Sequence, residues 1–137
     1  MSLLRYNGKL IVKGGKFTII NIPSEAPAIS TLRNFLTGIQ AFMADWDRLP
    51  TTQAELEDYV LLNPTEYYTF AYHFVDVSLA YCNATSAHPL IHSYTRTVSW
   101  SGGMLNDITC KKLGTTPPGC ADYIGGVLSC QVGTEEV

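Results

Sequence analysis

The chain has 137 residues, of which 46% are hydrophobic and 15% are charged, and its formal net charge is -3. This length suits one domain with a single core and disfavours a second independent domain. The charged content is well below the roughly 25% of an ordinary soluble domain, so we expect part of the surface to be covered by something other than water. No apolar run reaches the roughly 20 residues that cross a bilayer, which predicts that there is no membrane span.

Residues 1–23 are predicted to form an N-terminal β-hairpin or arm, and residues 24–137 a single α+β domain. Two short apolar runs flank Gly14-Gly15, a dipeptide that readily forms a hairpin turn. We expect this arm to pair with a neighbouring subunit, although a hairpin folded onto its own core is the alternative. The predicted assembly contacts are the apolar residues Leu10, Ile11, Val12, Phe17, Ile19 and Ile20 and the cations Lys9, Lys13 and Lys16.

Charge is unevenly distributed along the chain. The first 23 residues contain Arg5 and three lysines without any acid, whereas the stretch from Asp45 to Asp76 is acidic and contains Arg48 as its lone cation. The front of one copy is therefore expected to attract the middle of another copy. Two independently solvated faces are the alternative interpretation.

The clearest helical pattern repeats apolar residues at three- and four-residue steps and predicts an amphipathic helix. Arg48-Leu49-Pro50 should end this helix, and Thr52 with Glu55 predicts a capping box at the start of a short second helix. The apolar positions of the long helix are Ile29, Leu32, Phe35, Leu36, Ile39, Phe42, Met43 and Trp46.

The segment 63–82 is ambiguous. Asn63-Pro64 resembles a helix start, but the aromatic and β-branched residues that follow favour strands with an irregularity near Val75. The sequence leaves open whether residues 64–82 are helix or strand. Their aromatic side chains are expected to form a core sheet face or a subunit interface.

The C-terminal half is predicted to be mainly antiparallel β-structure. Residues 90–100 alternate long side chains with Ser and Thr, which is typical of a half-exposed strand, and Gly102-Gly103 should turn the chain. A polar link at residues 83–89 precedes this strand. The remainder reads as loops with one last strand at residues 126–132. The fold class is thus α+β, with an N-terminal β-hairpin, one long amphipathic helix plus a short helix, and a mainly antiparallel β C-terminal half.

Four cysteines allow a possible disulfide between Cys110 and Cys120, around a Pro-Pro-Gly loop, although spacing alone does not establish it. The front of the chain lacks a secretory pattern, so we expect the protein to fold in the cytoplasm. In that compartment, free buried thiols are the default expectation.

The sequence offers no catalytic residues, cofactor site or metal site. His88 and His92 are four residues apart, but Pro89 between them disfavours the helix that would aim both rings at one ion. An enzyme would be favoured if His73 or His92 lay in a pocket beside an acid or a cysteine. No small-molecule substrate is expected, and nucleic-acid binding is disfavoured because the cations near the front are few.

The sequence AFMADWDRLPTTQAELEDY lies within residues 31–62, a segment that resembles type IV pilins and pseudopilins. In that family a long helix, a Leu-Pro-Thr step and a short acidic segment lead to an antiparallel sheet, and cysteines occur near the C-terminus. The family's apolar N-terminal helix is replaced here by the basic segment Leu4–Ile22. The resemblance implies an extracellular filament or adhesin subunit.

The N-terminal sequence, Asn-Gly-Lys followed by apolar residues, resembles the openings of small bacteriophage virion structural proteins. That resemblance implies a capsid-decorating, tail or fibre protein assembled in the host cytoplasm. Its partners would be copies of itself and other structural proteins. We therefore expect a non-enzymatic structural subunit of a bacteriophage virion, with the pilin-like subunit as the alternative.

Overall fold

The protein is described by a computed structural model, which defines the backbone of residues 8–13 and 16–137 and the side chains from residue 21 onward. The predicted turn at Gly14-Gly15 lies outside the described residues. In chain order the elements are β1 (Gly8–Lys13), β2 (Lys16–Asn21), α1 (Ala26–Trp46), α2 (Gln53–Glu57), β3 (Tyr68–Asp76), β4 (Leu79–Ser86), β5 (His92–Ser101), β6 (Met104–Leu113), β7 (Asp122–Ile124), β8 (Val127–Ser129) and β9 (Glu135–Glu136).

Strands β1 and β2 pair antiparallel, with Gly8 opposite Asn21 and Lys13 opposite Lys16. They form a two-stranded sheet of their own, which we call the N-terminal ribbon. All of the residues predicted as assembly contacts lie on these two strands.

The main sheet has five antiparallel strands in the order β3-β4-β5-β6-β9. One face packs against α1, whose buried residues include Leu32, Phe35 and Ile39. The small side chains Ala80 and Cys82 of β4 allow the helix to approach the sheet closely. The α+β architecture, with one long helix, one short helix and an antiparallel sheet, therefore matches the sequence pattern.

Both helix boundaries follow from local chemistry. Helix α1 ends at Asp47, which adopts a left-handed conformation with φ of 53° and donates its backbone N–H to the Met43 carbonyl. Helix α2 begins at Thr52, whose hydroxyl accepts a hydrogen bond from the backbone N–H of Glu55 at 3.2 Å. The predicted helix stop and the predicted N-cap are both confirmed.

The ambiguous segment forms strands β3 and β4, and the irregularity predicted near Val75 is present as a register shift between Phe74 and Asp76. Beyond this shift the chain turns at Val77, and the strand that follows buries Ala80 rather than Leu79. A turn reverses the strand direction and resets which side chains face the helix.

Three further predictions of the C-terminal half need correction. Residues 83–86, expected in a polar link, continue β4. Strand β6, ten residues long, was expected to be loop because its polar sequence, MLNDITCKKL, carries few strand-forming residues. The strand expected at residues 126–132 is limited to Val127–Ser129 and pairs with β7, and the last strand is instead β9, which pairs with β6.

In the part of the chain that the structure describes, no helix combines the length and the apolar character needed to cross a bilayer.

Candidate functional site

Strand β5 is buried on both faces, which corrects the half-exposed strand expected there. Its hydroxyl side chains form a fully buried row facing away from α1, namely Ser93, Thr95, Thr97 and Ser99. Residues 114–121, which we call the covering segment, lie across this row. The small hydroxyls suit this burial because they leave room for backbone and supply hydrogen-bond partners to it.

The hydroxyl row binds the covering segment through three specific contacts. The Ser93 hydroxyl donates to the Gly114 carbonyl at 2.7 Å. The Thr95 hydroxyl accepts from the Gly119 N–H at 3.0 Å, and the Thr97 hydroxyl accepts from the Ala121 N–H at 2.9 Å. The fourth hydroxyl, that of Ser99, has no hydrogen-bond partner among the described residues.

A disulfide joins Cys110 on β6 to Cys130, which follows β8. The possible Cys110–Cys120 pairing is therefore wrong, and so is the expectation that all four thiols are free. The β7–β8 hairpin folds back over β6 and brings the Cα of Cys130 to 5.7 Å from that of Cys110, within the range that a disulfide spans. The signal for this pairing is the turn at Gly125-Gly126, because it reverses the chain and returns Cys130 to β6.

The other two cysteines are free. Burial beneath α1 raises the pKa of the Cys82 thiol to about 12, although a backbone hydrogen bond acts in the opposite direction. Burial also raises the pKa of Cys120. Both thiols are thus held in the protonated form, which is a poor nucleophile.

Glu25, immediately before α1, binds two side chains of β5. Its carboxylate accepts a short hydrogen bond from the Tyr94 hydroxyl, and both of its oxygens lie 3.1 Å from Nδ1 of His92. Burial raises the pKa of Glu25, but the hydrogen bonds from Tyr94 and His92 outweigh it, so the net pKa lies below the ordinary value. We call these three residues the Glu25 clamp.

The Glu25 clamp places His92 beside an acid, and its hydrogen bonds join the residue before α1 to β5. Both carboxylate oxygens are already engaged, and the nearby Tyr68 hydroxyl is used to bind the His92 carbonyl at 2.7 Å. His73 instead stacks on Tyr81, with ring centroids 4.9 Å apart. Among the described residues, no three His, Cys, Asp or Glu side chains form a group that could hold a metal ion.

A surface groove of about 340 Å³ lies where α1 ends beside α2. Trp46 is 58% exposed there, although it is the last residue of the apolar stripe of α1. Its indole N–H donates to the Tyr59 hydroxyl at 3.1 Å, and that hydroxyl donates to Asp45 at 2.6 Å. The residues that line this Trp46 groove are Phe42, Trp46, Glu55, Asp58 and Tyr59.

Arg48 contacts two of the aromatic rings that line the Trp46 groove. Its guanidinium lies 5.1 Å from the ring centre of Phe42 and 5.7 Å from that of Trp46. It also binds both carboxylate oxygens of Glu55, with the shorter contact at 2.6 Å. The hydrogen bond from Arg48, followed by those from Thr51, lowers the pKa of Glu55 to about 2.

Most of the acidic residues of the middle stretch are free of Arg48 and exposed to solvent. Only Glu55 pairs with that cation, at 2.6 Å. The surface at the α1–α2 junction is therefore acidic as well as aromatic. The exposed acids of this stretch are Asp45, Asp47, Glu57, Asp58, Glu66 and Asp76.

The structure places the predicted assembly residues on the backbone of the N-terminal ribbon, but their side chains lie outside its described part. The acidic character of the middle stretch is predictable from the sequence, whereas the groove is not. Trp46 continues the helical apolar pattern, which does not reveal that its side chain is exposed.

No protein-family model matches this chain, and no curated protein and no solved structure matches it.

Proposed function

We propose that this chain is a non-enzymatic structural subunit of a large protein assembly. The observation that carries the proposal is the N-terminal ribbon. Its two strands form a sheet of their own and precede the long helix and the five-stranded sheet in the chain. Terminal strands are a common means of joining subunits. The polar clusters of the domain support a structural role, because their hydrogen bonds hold α1 and the covering segment to the sheet.

The Cys110–Cys130 disulfide favours an extracellular, pilin-like filament subunit over the virion component that the N-terminal sequence suggested. Disulfides persist in oxidising surroundings and are rare in the cytoplasm. The order of elements also supports this setting, since α1, α2, the antiparallel sheet and the disulfide follow one another as the resemblance implies. The departure is the basic ribbon, which replaces the apolar N-terminal helix of that family.

The virion component is the second candidate. It is favoured by the same ribbon, because the Asn-Gly-Lys sequence at residues 7–9 resembles the N-terminal sequences of small virion proteins. In that setting the partners are other virion proteins and assembly takes place in the host cytoplasm.

The assembly proposal is tested by measuring the mass of the full chain in solution by light scattering across a hundredfold concentration range. We expect the mass to rise with concentration beyond that of a monomer. A monomer at every concentration would overturn the proposal.

The two settings are separated by counting thiols in denatured, unreduced protein taken from its natural assembly. Two thiols per chain, those of Cys82 and Cys120, are expected for an extracellular subunit. Four thiols would favour the virion component assembled in a reducing cytoplasm.

A further inference from the structure

We propose that the Trp46 groove is the docking site for the N-terminal ribbon of a second copy of this chain. The inference rests on the proposed function, because it names the two surfaces through which the subunits would join. Three features of the groove carry it: an exposed aromatic anchor, a network that holds this anchor rigid, and a charge opposite to that of the ribbon.

The first feature is the exposure of Trp46. Tryptophan is enriched among the residues that dominate binding energy in protein interfaces, and an exposed one gains most from being covered. Phe42, which is only 2% exposed, also lines the groove, and its ring centre lies 6.2 Å from that of Trp46. An apolar side chain placed over Trp46 would thus extend an existing packed surface.

The second feature is preorganisation. Trp46 donates to Tyr59 at 3.1 Å and Tyr59 donates to Asp45 at 2.6 Å, so the exposed Trp46 and the half-buried Tyr59 are already fixed before any partner arrives. Arg48 contacts Trp46 from another side and is itself fixed by Glu55. Rigid side chains lose little conformational entropy on binding, which favours association.

The third feature is charge. Asp58 lines the groove, and Asp45 and Glu57 are exposed on the elements that form it. The ribbon carries Lys9, Lys13 and Lys16, and no acid occurs in residues 1–23. Complementary charge steers two partners together and fixes how they align, while the apolar residues of the ribbon supply the surface that covers Trp46.

A contact between the ribbon of one copy and the groove of the next is heterologous, because the two surfaces differ. A one-way contact of this kind generates a closed ring or an open filament, whereas a reciprocal exchange of ribbons closes a symmetric dimer. In either assembly every copy gives a ribbon and receives one.

The test uses two full-length charge-reversed variants. The groove variant carries Glu57→Lys and Asp58→Lys, and the ribbon variant carries Lys9→Glu, Lys13→Glu and Lys16→Glu. A control variant, Asp122→Lys with Glu136→Lys, changes the net charge by the same amount as the groove variant at two exposed positions outside the groove. Each variant is first compared with the wild type by thermal unfolding, so that altered assembly is not confused with altered folding.

We expect the groove and ribbon variants each to associate about tenfold or more weakly than the wild type, because each now pairs like charges. Mixing the two in equal amounts should restore association, since the ribbon of either variant then faces a groove of opposite charge. The control should associate like the wild type. Raising the salt concentration should weaken the wild-type assembly, because it screens charge.

Two results would overturn the docking site without affecting the proposed function: wild-type association of the groove variant, or failure of the mixture to associate while the wild type assembles. A wild type that stays monomeric at all concentrations would overturn both proposals. A Trp46→Ala variant provides a second readout, and association unchanged by it would also contradict the site.

Discussion

Tyr94 on β5 donates a hydrogen bond to Glu25, the residue that immediately precedes α1. This contact holds the first turn of the helix to the central region of the sheet. It also uses the carboxylate that would otherwise be free to cap the helix, since the Glu25 side chain makes no cap hydrogen bond. The helix start is thus held by the sheet as well as by local chemistry, since the Ser24 hydroxyl accepts from the Ala26 N–H and a proline lies in the first turn.

Replacing Glu25→Gln should lower the free energy of unfolding by about 2 kcal/mol, because hydrogen bonds to a charged group are lost. The loss should depend on pH. Although burial acts in the opposite direction, hydrogen bonds from Tyr94 and His92 hold the folded pKa of Glu25 below its ordinary value of 4.5. The stabilisation by the clamp is therefore fully present above pH 4.5 and is lost as the pH falls through the folded pKa. Urea unfolding between pH 7 and pH 3 measures this, and the variant should show a smaller acid dependence than the wild type. The exposed Glu66→Gln variant is the control, and an equal effect there would contradict the clamp.

A Thr97→Val variant should be destabilised by about 1 to 3 kcal/mol, because the Ala121 N–H would then be buried without its acceptor. The matched control is Ser99→Ala on the same row. Its hydroxyl is fully buried and has no hydrogen-bond partner among the described residues, so removing it should leave stability unchanged or increase it. Denaturant unfolding of both variants makes the comparison, and similar losses in the two would contradict the role of the hydroxyl row.

Removing the disulfide with Cys110→Ser and Cys130→Ser should lower the free energy of unfolding by about 3 kcal/mol, which is typical for a loop of this length. The two cysteines are separated by 20 residues. The Cys120→Ser variant keeps the disulfide and is the control, since that thiol is free. Thermal unfolding without reductant checks the difference. If the Cys120→Ser variant were the less stable of the two, the pairing would be wrong.

A Gly38→Ala variant should be destabilised although alanine favours helices. A Cβ at this position would lie 2.6 Å from Cγ1 of Val60, so the loop after α2 would have to move away from α1. Overpacking of this kind costs about 1 to 3 kcal/mol. In a Val60→Gly background, which removes Cγ1 and also the Cβ that would lie 2.7 Å away, the same Gly38→Ala change should cost little. A loss as large as in the wild-type background would contradict the close approach.

The Glu55 carboxyl should titrate at about pH 2 in the folded protein, because Arg48 and Thr51 stabilise its charged form. The contribution of Glu55 to stability is present above the ordinary carboxyl pKa of 4.5 and falls as the pH drops toward 2. Carboxyl NMR titration measures this pKa directly. In an Arg48→Gln variant the pKa should rise toward its ordinary value, whereas an unchanged pKa would contradict the pairing.

Local patterns predicted the helices well because their signals are local. The spacing of Leu32, Phe35 and Ile39 indicates one buried helix face, and Thr52 indicates a cap, whatever the rest of the chain does. The aromatic and β-branched content of residues 68–82 favoured strands there, although the sequence alone left helix or strand open.

The C-terminal half could not be predicted in the same way, because its burial depends on distant contacts. The Ser and Thr of β5 read as solvent-facing until the covering segment is placed over them, and Thr95 is buried by a chain segment 24 residues away. The partner of Cys110 likewise depends on the path of the β7–β8 hairpin. The exposure of Trp46 could not be predicted for the converse reason, since the apolar stripe of α1 extends beyond the surface that covers it.

The hydroxyl row on β5 also determines how the covering segment is aligned. A segment held only by apolar contact can slide along a strand at little cost. Here each of three hydroxyls meets one particular backbone group of Gly114, Gly119 or Ala121. A slip by one residue would leave several buried polar groups unpaired, at about 1 to 3 kcal/mol each. The row therefore sets the register of the covering segment, and with it the position from which the β7–β8 hairpin returns Cys130 to Cys110.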